Sequence, residues 1–230
     1  MFKLIFATFS LLILASPAQA GTIQGEVKYS GKVPAPVTHK TGKFAKVCGS
    51  EILEESLILK NQKVKNAVIW LEGKEAKKLK NTAGAYTIDQ KKCAYSPHVL
   101  AMPQGSELKI LTSDPINHNI HTYSFDNDPI NIMFLPNQDY TQEMEEPEVV
   151  KVSCDLHNWM VAYIVVTPHS YFAMTQNNGS FEIKNVPPGK YTLKLWHESL
   201  GEESRKIEVG EGVTKADFDF QELASQVSQK

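Results

Sequence analysis

Soft metal-binding side chains are concentrated between residues 154 and 160. The run Cys154-Asp-Leu-His157-Asn-Trp-Met160 places a thiol, an imidazole and a thioether close together, directly after a strand-like segment. Thiolate and thioether sulfur select Cu(I), and imidazole binds copper in both of its oxidation states. The spacing therefore predicts that this loop binds one copper ion.

A second histidine completes the set. His118 lies upstream, at the end of another strand-like run. Two histidines, one cysteine and a weak axial methionine are the ligands of blue-copper sites, which exchange single electrons. We predict that His118 and His157 bind copper through ring nitrogens, that Cys154 supplies the thiolate and that Met160 tunes the potential. The edge of His157, with Trp159 and Leu156 nearby, is then expected to be the exposed point of electron exchange.

The rest of the sequence predicts an all-β protein. Hydrophobic and polar residues alternate from 23 to 29, the period of a half-buried strand, and Gly and Pro clusters separate further runs of this kind. Many short strands with regular turns indicate a β-sandwich or barrel. The further predicted strands are 67–71, 99–102, 108–112, 149–154 and 162–166.

The predicted strands bring the ligands to one pole. Alternation places Val150, Val152 and Cys154 on one buried face. Strands 99–102 and 108–112 are expected to form an antiparallel hairpin, which brings His118 to the same pole. His98 begins that hairpin, so it is an extra-ligand candidate, although a second-shell or exposed role suits it better. His121 faces the opposite side of its strand and is not expected to bind the same ion.

The first residues predict export. Residues 1–20 combine Lys3, an apolar core and a small-residue cleavage site at Ala18-Gln-Ala20, as signal peptides do. No later segment is long and apolar enough for membrane insertion. We therefore expect a periplasmic protein.

Export makes disulfides possible, and the cysteine count is odd. The economical partition pairs Cys48 with Cys93 and leaves Cys154 as a metal thiolate. The alternative, in which all three are reduced or mispaired, stays open at the level of sequence.

The charge balance argues against nucleic acid as a partner. Asp and Glu number 26 and Lys and Arg 24, and the basic residues are scattered. The densest cluster, Lys74 to Lys80, contains Glu75 and is typical of a solvated face.

A second unit is predicted after residue 167. Five short strands follow, separated by the turn signals Asn177-Asn-Gly179 and Pro187-Pro-Gly189. We expect a first domain at 21–167, a small β-sandwich at 168–222 and a polar tail at 223–230. The strands of the second unit are 172–174, 180–183, 191–196, 207–209 and 218–220.

At its ligand residues the chain resembles the cupredoxins. The Cys-x-x-His-x-x-Met loop and the run His118-Asn-Ile-His121 are similar to those of the amicyanin type. The resemblance implies a Greek-key sandwich in which His118, Cys154 and His157 are equatorial ligands and Met160 is axial. It also implies that Asn119 steadies the ligand loops. Asp155 and Asn158 stand where amicyanin-type loops commonly have proline.

The last unit resembles transthyretin-like regulatory domains found beside carboxypeptidases. The residues that carry this likeness are Gly179-Ser-Phe181, Val186-Pro-Pro-Gly189 and Tyr191. Fusions of the two units recur in exported proteins labelled plastocyanin-like or methylamine-utilisation proteins. The resemblance implies a non-catalytic module.

The leading hypothesis is a non-enzymatic one-electron carrier. One alternative is copper storage or delivery, for which His98 and His121 would provide extra ligands. Another is a structural envelope module in which Cys154 is merely buried. Nucleophilic catalysis by Cys154 and His157 is a weaker alternative. The sequence identifies neither the redox partner nor the oligomeric state.

Overall fold

The computed structural model describes residues 19–224, and within them the regular structure is nearly all β. The predicted all-β class is confirmed. Residues 1–18 of the predicted signal peptide and 225–230 of the predicted tail lie outside the described residues. Among those described, no helix is long and apolar enough to span a bilayer.

The strands are mostly short, and three helical segments interrupt them. The helical segments are the 3-10 helix Gly42–Phe44, helix α1 (Ala45–Cys48) and the 3-10 helix Ala76–Lys78. The strands up to the first histidine of the predicted site are β1 (Gly21–Tyr29), β2 (Thr38–Lys40), β3 (Glu51–Leu53), β4 (Leu59–Lys60), β5 (Lys63–Val64), β6 (Val68–Glu72), β7 (Ala85–Lys91), β8 (Ala94–Ser96), β9 (Val99–Pro103), β10 (Ser106–Thr112) and β11 (His118–Tyr123). The remaining strands are β12 (Asn131–Phe134), β13 (Asp139–Met144), β14 (Glu148–Ser153), β15 (Val161–Thr167), β16 (Phe172–Met174), β17 (Ser180–Val186), β18 (Gly189–His197), β19 (Gly201–Val209), β20 (Gly212–Lys215) and β21 (Phe218–Phe220).

The first β-sandwich contains the predicted metal ligands. Its sheets have the strand orders β13-β10-β7-β8 and β12-β11-β14-β15-β9. Alternating side chains from the two sheets form one core, in which Ile110 and Leu108 face Val150 and Val152. Cys154 and Met160 belong to the same core. The ligand loop is therefore attached to a packed interior.

The second β-sandwich combines strands from both ends of the described chain. Its sheets have the orders β17-β1-β5-β4, with β20 and β21 also paired to β1, and β16-β6-β18-β19. β1 changes partner from β20 to β21 near Gly25. A Cβ atom at Gly25 would lie 2.0 Å from the carbonyl oxygen of Ala216, so only glycine permits this close approach.

A third apolar cluster joins the two sandwiches. Val99 and Val165 on the outer face of one sheet pack with Val68, Trp70 and Trp196 of the other sandwich. A partly buried hydrogen bond between His98 and Glu198 lies at the same junction. Because side chains of both sandwiches share this apolar cluster, the two units pack against each other.

Two predictions of organisation need correction. The boundary at residue 167 is wrong in space, because β1 and β6 pair with strands of the C-terminal unit. The predicted hairpin of β9 and β10 is also wrong: β9 pairs in parallel with β15, whereas β10 pairs with β7 and β13. The turn through Gln104 and Gly105 crosses from one sheet to the other, where their amides donate to Thr167 and Met144.

The burial of His197 predicts that the free energy of unfolding falls in acid. Burial lowers the pKa of His197 from its ordinary 6.5 to about 4, so between these pH values the unfolded chain binds a proton and the folded chain does not. The contribution of neutral His197 to the free energy of unfolding is intact above about pH 6.5 and is lost as the pH falls toward 4. By about pH 4.5 the loss should reach roughly 2–3 kcal/mol.

We expect His197→Asn to remove that part of the acid dependence. Urea unfolding of metal-free wild type and variant should be compared at pH 7.5 and at about pH 4.5, so that groups common to both proteins cancel. A difference between the two free energies of unfolding that does not change with pH would contradict the assignment.

Candidate metal centre

The ligand loop is held at the ends of three neighbouring strands. β14 ends at Ser153, immediately before Cys154, and β15 begins after Met160. The amide of Cys154 donates to the carbonyl of Met160 at 3.1 Å, and the amide of Met160 donates to the carbonyl of His157 at 2.9 Å. β11, which begins at His118, pairs with β14. Backbone hydrogen bonds thus fix all four predicted ligands at one pole.

Three of the predicted donor atoms converge. Nδ1 of His118 lies 3.1 Å from Nδ1 of His157, and Nδ1 of His157 lies 3.7 Å from Sγ of Cys154. One donor atom from each of the three residues lies within 4.8 Å of the others. Their exposed fractions are 0%, 1% and 3%, so the cluster is closed to solvent.

Two of the three donor separations suit a shared metal ion. Zinc lies about 2.0–2.1 Å from imidazole nitrogen and about 2.3 Å from thiolate sulfur. With those lengths, the two measured separations subtend angles of roughly 100° and roughly 115° at a shared ion. The donor set of two imidazoles and one thiolate suits copper or another soft divalent metal.

Asp114 fixes the tautomer of His118. Its Oδ2 lies 2.8 Å from Nε2 of His118, and an ionised carboxylate can only accept, so Nε2 carries the proton. Nδ1 then presents its lone pair toward His157 and Cys154. Asp114 is itself held by the amides of Lys92 and Cys93, at 2.6 and 2.7 Å. Metal-binding histidines are commonly oriented by such carboxylates.

His157 is covered by an aromatic side chain from a distant segment. The rings of Phe44 and His157 pack edge to face with centroids 4.4 Å apart, and Trp159 lies 5.3 Å from His157. Nε2 of His157 has no hydrogen-bond partner within the described residues. The prediction that an edge of His157 is exposed is therefore wrong, because residues 42–48 pack over it.

Both imidazoles are held in the form that binds metal. Burial lowers the pKa of His118, although Asp114 opposes the shift. Burial and then the neighbouring His118 lower the pKa of His157 to about 4, with a smaller contribution from Lys43. Neutral imidazoles have the free lone pair that a metal ion requires.

A disulfide anchors the segment that covers His157. Cys48 is bonded to Cys93, as predicted, and Cys154 is the free thiol of the three cysteines, all of which lie in the described range. We call residues 42–48 the cap. Nε1 of Trp159 donates to the carbonyl of Cys93 at 3.1 Å, which ties the ligand loop to the same anchor. The cap is therefore connected to the site through the ring of Phe44 and through the Cys48–Cys93 disulfide.

Asn119 and Tyr95 steady the strands that carry the ligands. The amide of Asn119 lies 3.5 Å from Sγ of Cys154, and its side chain bonds the backbone and carboxylate of Asp155. The hydroxyl of Tyr95 donates to the carbonyls of Asn119 and Ser153 at 2.6 and 2.9 Å. Asn119 thus bonds the loop that follows Cys154, and its role behind the ligands stays a prediction.

The remaining predicted residues have defined positions. Met160 is 1% exposed and packs in the core beside Cys154. His98 pairs with Glu198 at the junction and is not among the clustered donors of the described chain. His121 pairs with Asp155 on the outer face of the sheet. The roles of His118, Cys154, His157 and Met160 as ligands stay predictions.

Sequence reasoning missed Asp114, Tyr95 and Phe44 as parts of the site. Asp114 lies four residues before His118 in the loop between β10 and β11, and from the sequence alone an aspartate there reads as an ordinary turn residue. Phe44 and Tyr95 reach the site only through long-range packing.

We expect Asp114→Asn to weaken copper binding by roughly 10–100-fold, because the amide can stabilise the wrong His118 tautomer. Competition of metal-free protein with a chelator of known affinity measures the change. Asp89→Asn is the matched control, since its carboxylate bonds Ser113 and no ligand. An affinity equal to that of wild type would contradict the positioning role.

Comparisons with known proteins cover parts of the chain. A family model described as polysaccharide lyase family 4, domain II, matches residues 155–216, less than half of the sequence. No curated protein sequence matches. The resemblance of the last unit to transthyretin-like domains stays a prediction.

Several solved structures are similar over about a third of the chain. A Cu-containing nitrite reductase (NirK) from Thermus scotoductus SA-01 is 17% identical with a TM-score of 0.34, over 39% of this chain and 23% of that chain. A purple cupredoxin from Nitrosopumilus maritimus is 24% identical with a TM-score of 0.31, over 35% and 98%. A mutant of amicyanin in the Cu(I) state is 20% identical with a TM-score of 0.34, over 36% and 82%. This chain thus spans less than a quarter of the nitrite reductase.

Proposed function

We propose that this chain is an exported protein that binds one copper ion and carries single electrons. The observation that supports it most is the convergence of Nδ1 of His118, Nδ1 of His157 and Sγ of Cys154 in a buried cluster. Two imidazoles and a thiolate, together with a weak axial methionine, are the donors of blue-copper sites, and Met160 lies in the same core as Cys154. The periplasm is the proposed compartment, in keeping with the predicted signal peptide.

When bound, copper supplies a centre that changes by one charge between Cu(I) and Cu(II). The chain contributes rigidity, which keeps the donors in place in both states. Asn119 fixes Cys154 and Asp155, Asp114 fixes His118, and Phe44 packs against His157. Fast electron exchange requires such restraint, because donors that move with oxidation state slow the transfer.

The burial of the cluster supports transport of electrons rather than catalysis. Cys154 and His157 are 3% and 1% exposed, and Phe44 packs against His157, so neither side chain is open to a substrate. We therefore propose no nucleophilic step for this pair. Storage or delivery of copper is also less well supported, because His98 and His121, the expected additional ligands, are engaged by Glu198 and Asp155.

Voltammetry of the copper-loaded protein tests the function. We expect a reversible one-electron wave and retention of Cu(I) in the presence of a competing Cu(I) chelator. An irreversible wave together with ready transfer of copper to the chelator would contradict electron transport and favour delivery. Failure to bind copper would favour a structural role.

A further inference from the structure

Four exposed lysines lie on or beside the cap that covers His157. Lys43 and Lys46 lie on the cap, and Lys91 and Lys92 lie in the turn that carries Cys93. The disulfide brings the two segments together, with the Cα atoms of Cys48 and Cys93 5.2 Å apart. None of the four lysines makes an ion pair with a carboxylate in residues 19–224.

Lys43 lies over the aromatic ring that covers His157. Nζ of Lys43 is 5.0 Å from the centroid of the Phe44 ring, and that ring is 4.4 Å from the ring of His157. A positive charge, an aromatic ring and the imidazole of His157 thus follow one another. Phe44 is half-buried, so part of its ring remains available to a second molecule.

The nearby carboxylates do not neutralise this surface. Asp114 is 5% exposed and is engaged by His118 and by the amides of the Cys93 turn. Glu51 stands opposite Lys40 in the β2–β3 pair, so Lys40 is left out of the surface. The cap is therefore a locally basic face on a chain of formal charge −2.

Unpaired lysines alone are usually a solvated face. The position of Lys43 and Phe44 over His157 distinguishes this group, because Nε2 of His157 is buried with no partner among the described residues and Phe44 covers the ring. A molecule that exchanges electrons by way of His157 would approach over Phe44 and Lys43. Complementary charge mainly accelerates and orients such encounters.

We propose that the cap and the neighbouring turn together form the docking surface for an acidic face of a redox partner protein. The residues of this surface are Lys43, Phe44 and Lys46 of the cap and Lys91 and Lys92 of the turn. This inference rests on the proposed electron-carrier function. The contact is small, as transient electron-transfer interfaces are. A nucleic acid or an anionic membrane would use the same charges without needing their position over His157.

The docking surface is tested on metal-free protein with a paramagnetic, redox-inert anion. Hexacyanochromate(III) at low ionic strength should broaden backbone amide resonances of residues 42–48 and 91–93 more than those elsewhere. Lys43→Glu with Lys46→Glu should abolish this broadening. Lys77→Glu with Lys80→Glu, which makes the same change in net charge in another exposed basic segment, should preserve it.

The same variants then report on electron exchange. In the copper-loaded protein, the rate of oxidation by hexacyanoferrate(III) should fall about tenfold in the cap variant and little in the control. Added salt should reduce the wild-type rate toward that of the cap variant.

The outcomes separate the two proposals. Broadening that is scattered, or unchanged in the cap variant, would overturn the docking surface while leaving the copper site intact. Binding to vesicles rich in phosphatidylserine that depends on Lys43 and Lys46 would overturn a protein partner in favour of a membrane. Cap-confined broadening with no electron exchange by the copper-loaded protein would overturn the electron-carrier function and its redox partner, leaving only an anion-binding face.

Discussion

Cys154→Ser should abolish the intense thiolate-to-copper absorption while the protein remains folded. The hydroxyl of serine is a hard, protonated donor that does not replace a thiolate on copper. Sγ of Cys154 lies 3.7 Å from Nδ1 of His157, so its removal deletes one corner of the donor cluster. The loss of copper affinity should exceed the roughly 10–100-fold typical of changes behind the ligands.

The matched control is His121→Asn. His121 lies on the outer face of β11 and pairs with Asp155, so its loss should leave the absorption and the stoichiometry unchanged. Far-ultraviolet circular dichroism of the metal-free proteins shows whether the fold is retained. Survival of both colour and tight copper binding in a folded Cys154→Ser protein would contradict the ligand assignment.

Replacement of Cys48 and Cys93 by alanine should lower the free energy of unfolding by roughly 3–5 kcal/mol. The disulfide closes a sequence separation of 45 residues, and its loss returns that loop entropy to the unfolded chain. The cap also loses its anchor, so the contact of Phe44 with His157 should weaken. Urea unfolding of the metal-free protein measures the change.

Phe44→Ala separates the two effects of the disulfide. It removes the aromatic cover but keeps the covalent anchor, and the cost should be smaller because Phe44 is only half-buried. Wild type treated with a dithiol reductant should behave like the double alanine variant. If the variant with alanine at 48 and 93 lost less than about 1 kcal/mol in its free energy of unfolding, the cap would be held mainly by packing.

Local patterns in the sequence were sufficient for the strand class and the disulfide. Alternation placed Val150, Val152 and Cys154 on one buried face, and the structure has all three in the core. The odd cysteine count left one thiol over, and reserving Cys154 for a metal paired Cys48 with Cys93, a bond that the structure contains. These features depend on neighbours in sequence or on simple counting.

The environment of the site could not be predicted in the same way. Three of its features join residues far apart in sequence. They are the packing of Phe44 over His157, the hydrogen bond from Tyr95 to Asn119 and the pairing of β1 with β20 and β21. The turn at Gly105 is compatible with a hairpin, yet the chain crosses between sheets there because its amides find partners in β13 and β15. Local propensity does not specify such long-range contacts.

Titration of the metal-free protein with Cu(II), followed by optical and EPR spectroscopy, tests the central claim most directly. The account predicts an intense thiolate-to-copper band that grows until one equivalent is bound, and an EPR spectrum of a single copper species with strong thiolate covalency. Weak, colourless or multi-site binding would contradict a mononuclear centre built from His118, Cys154 and His157.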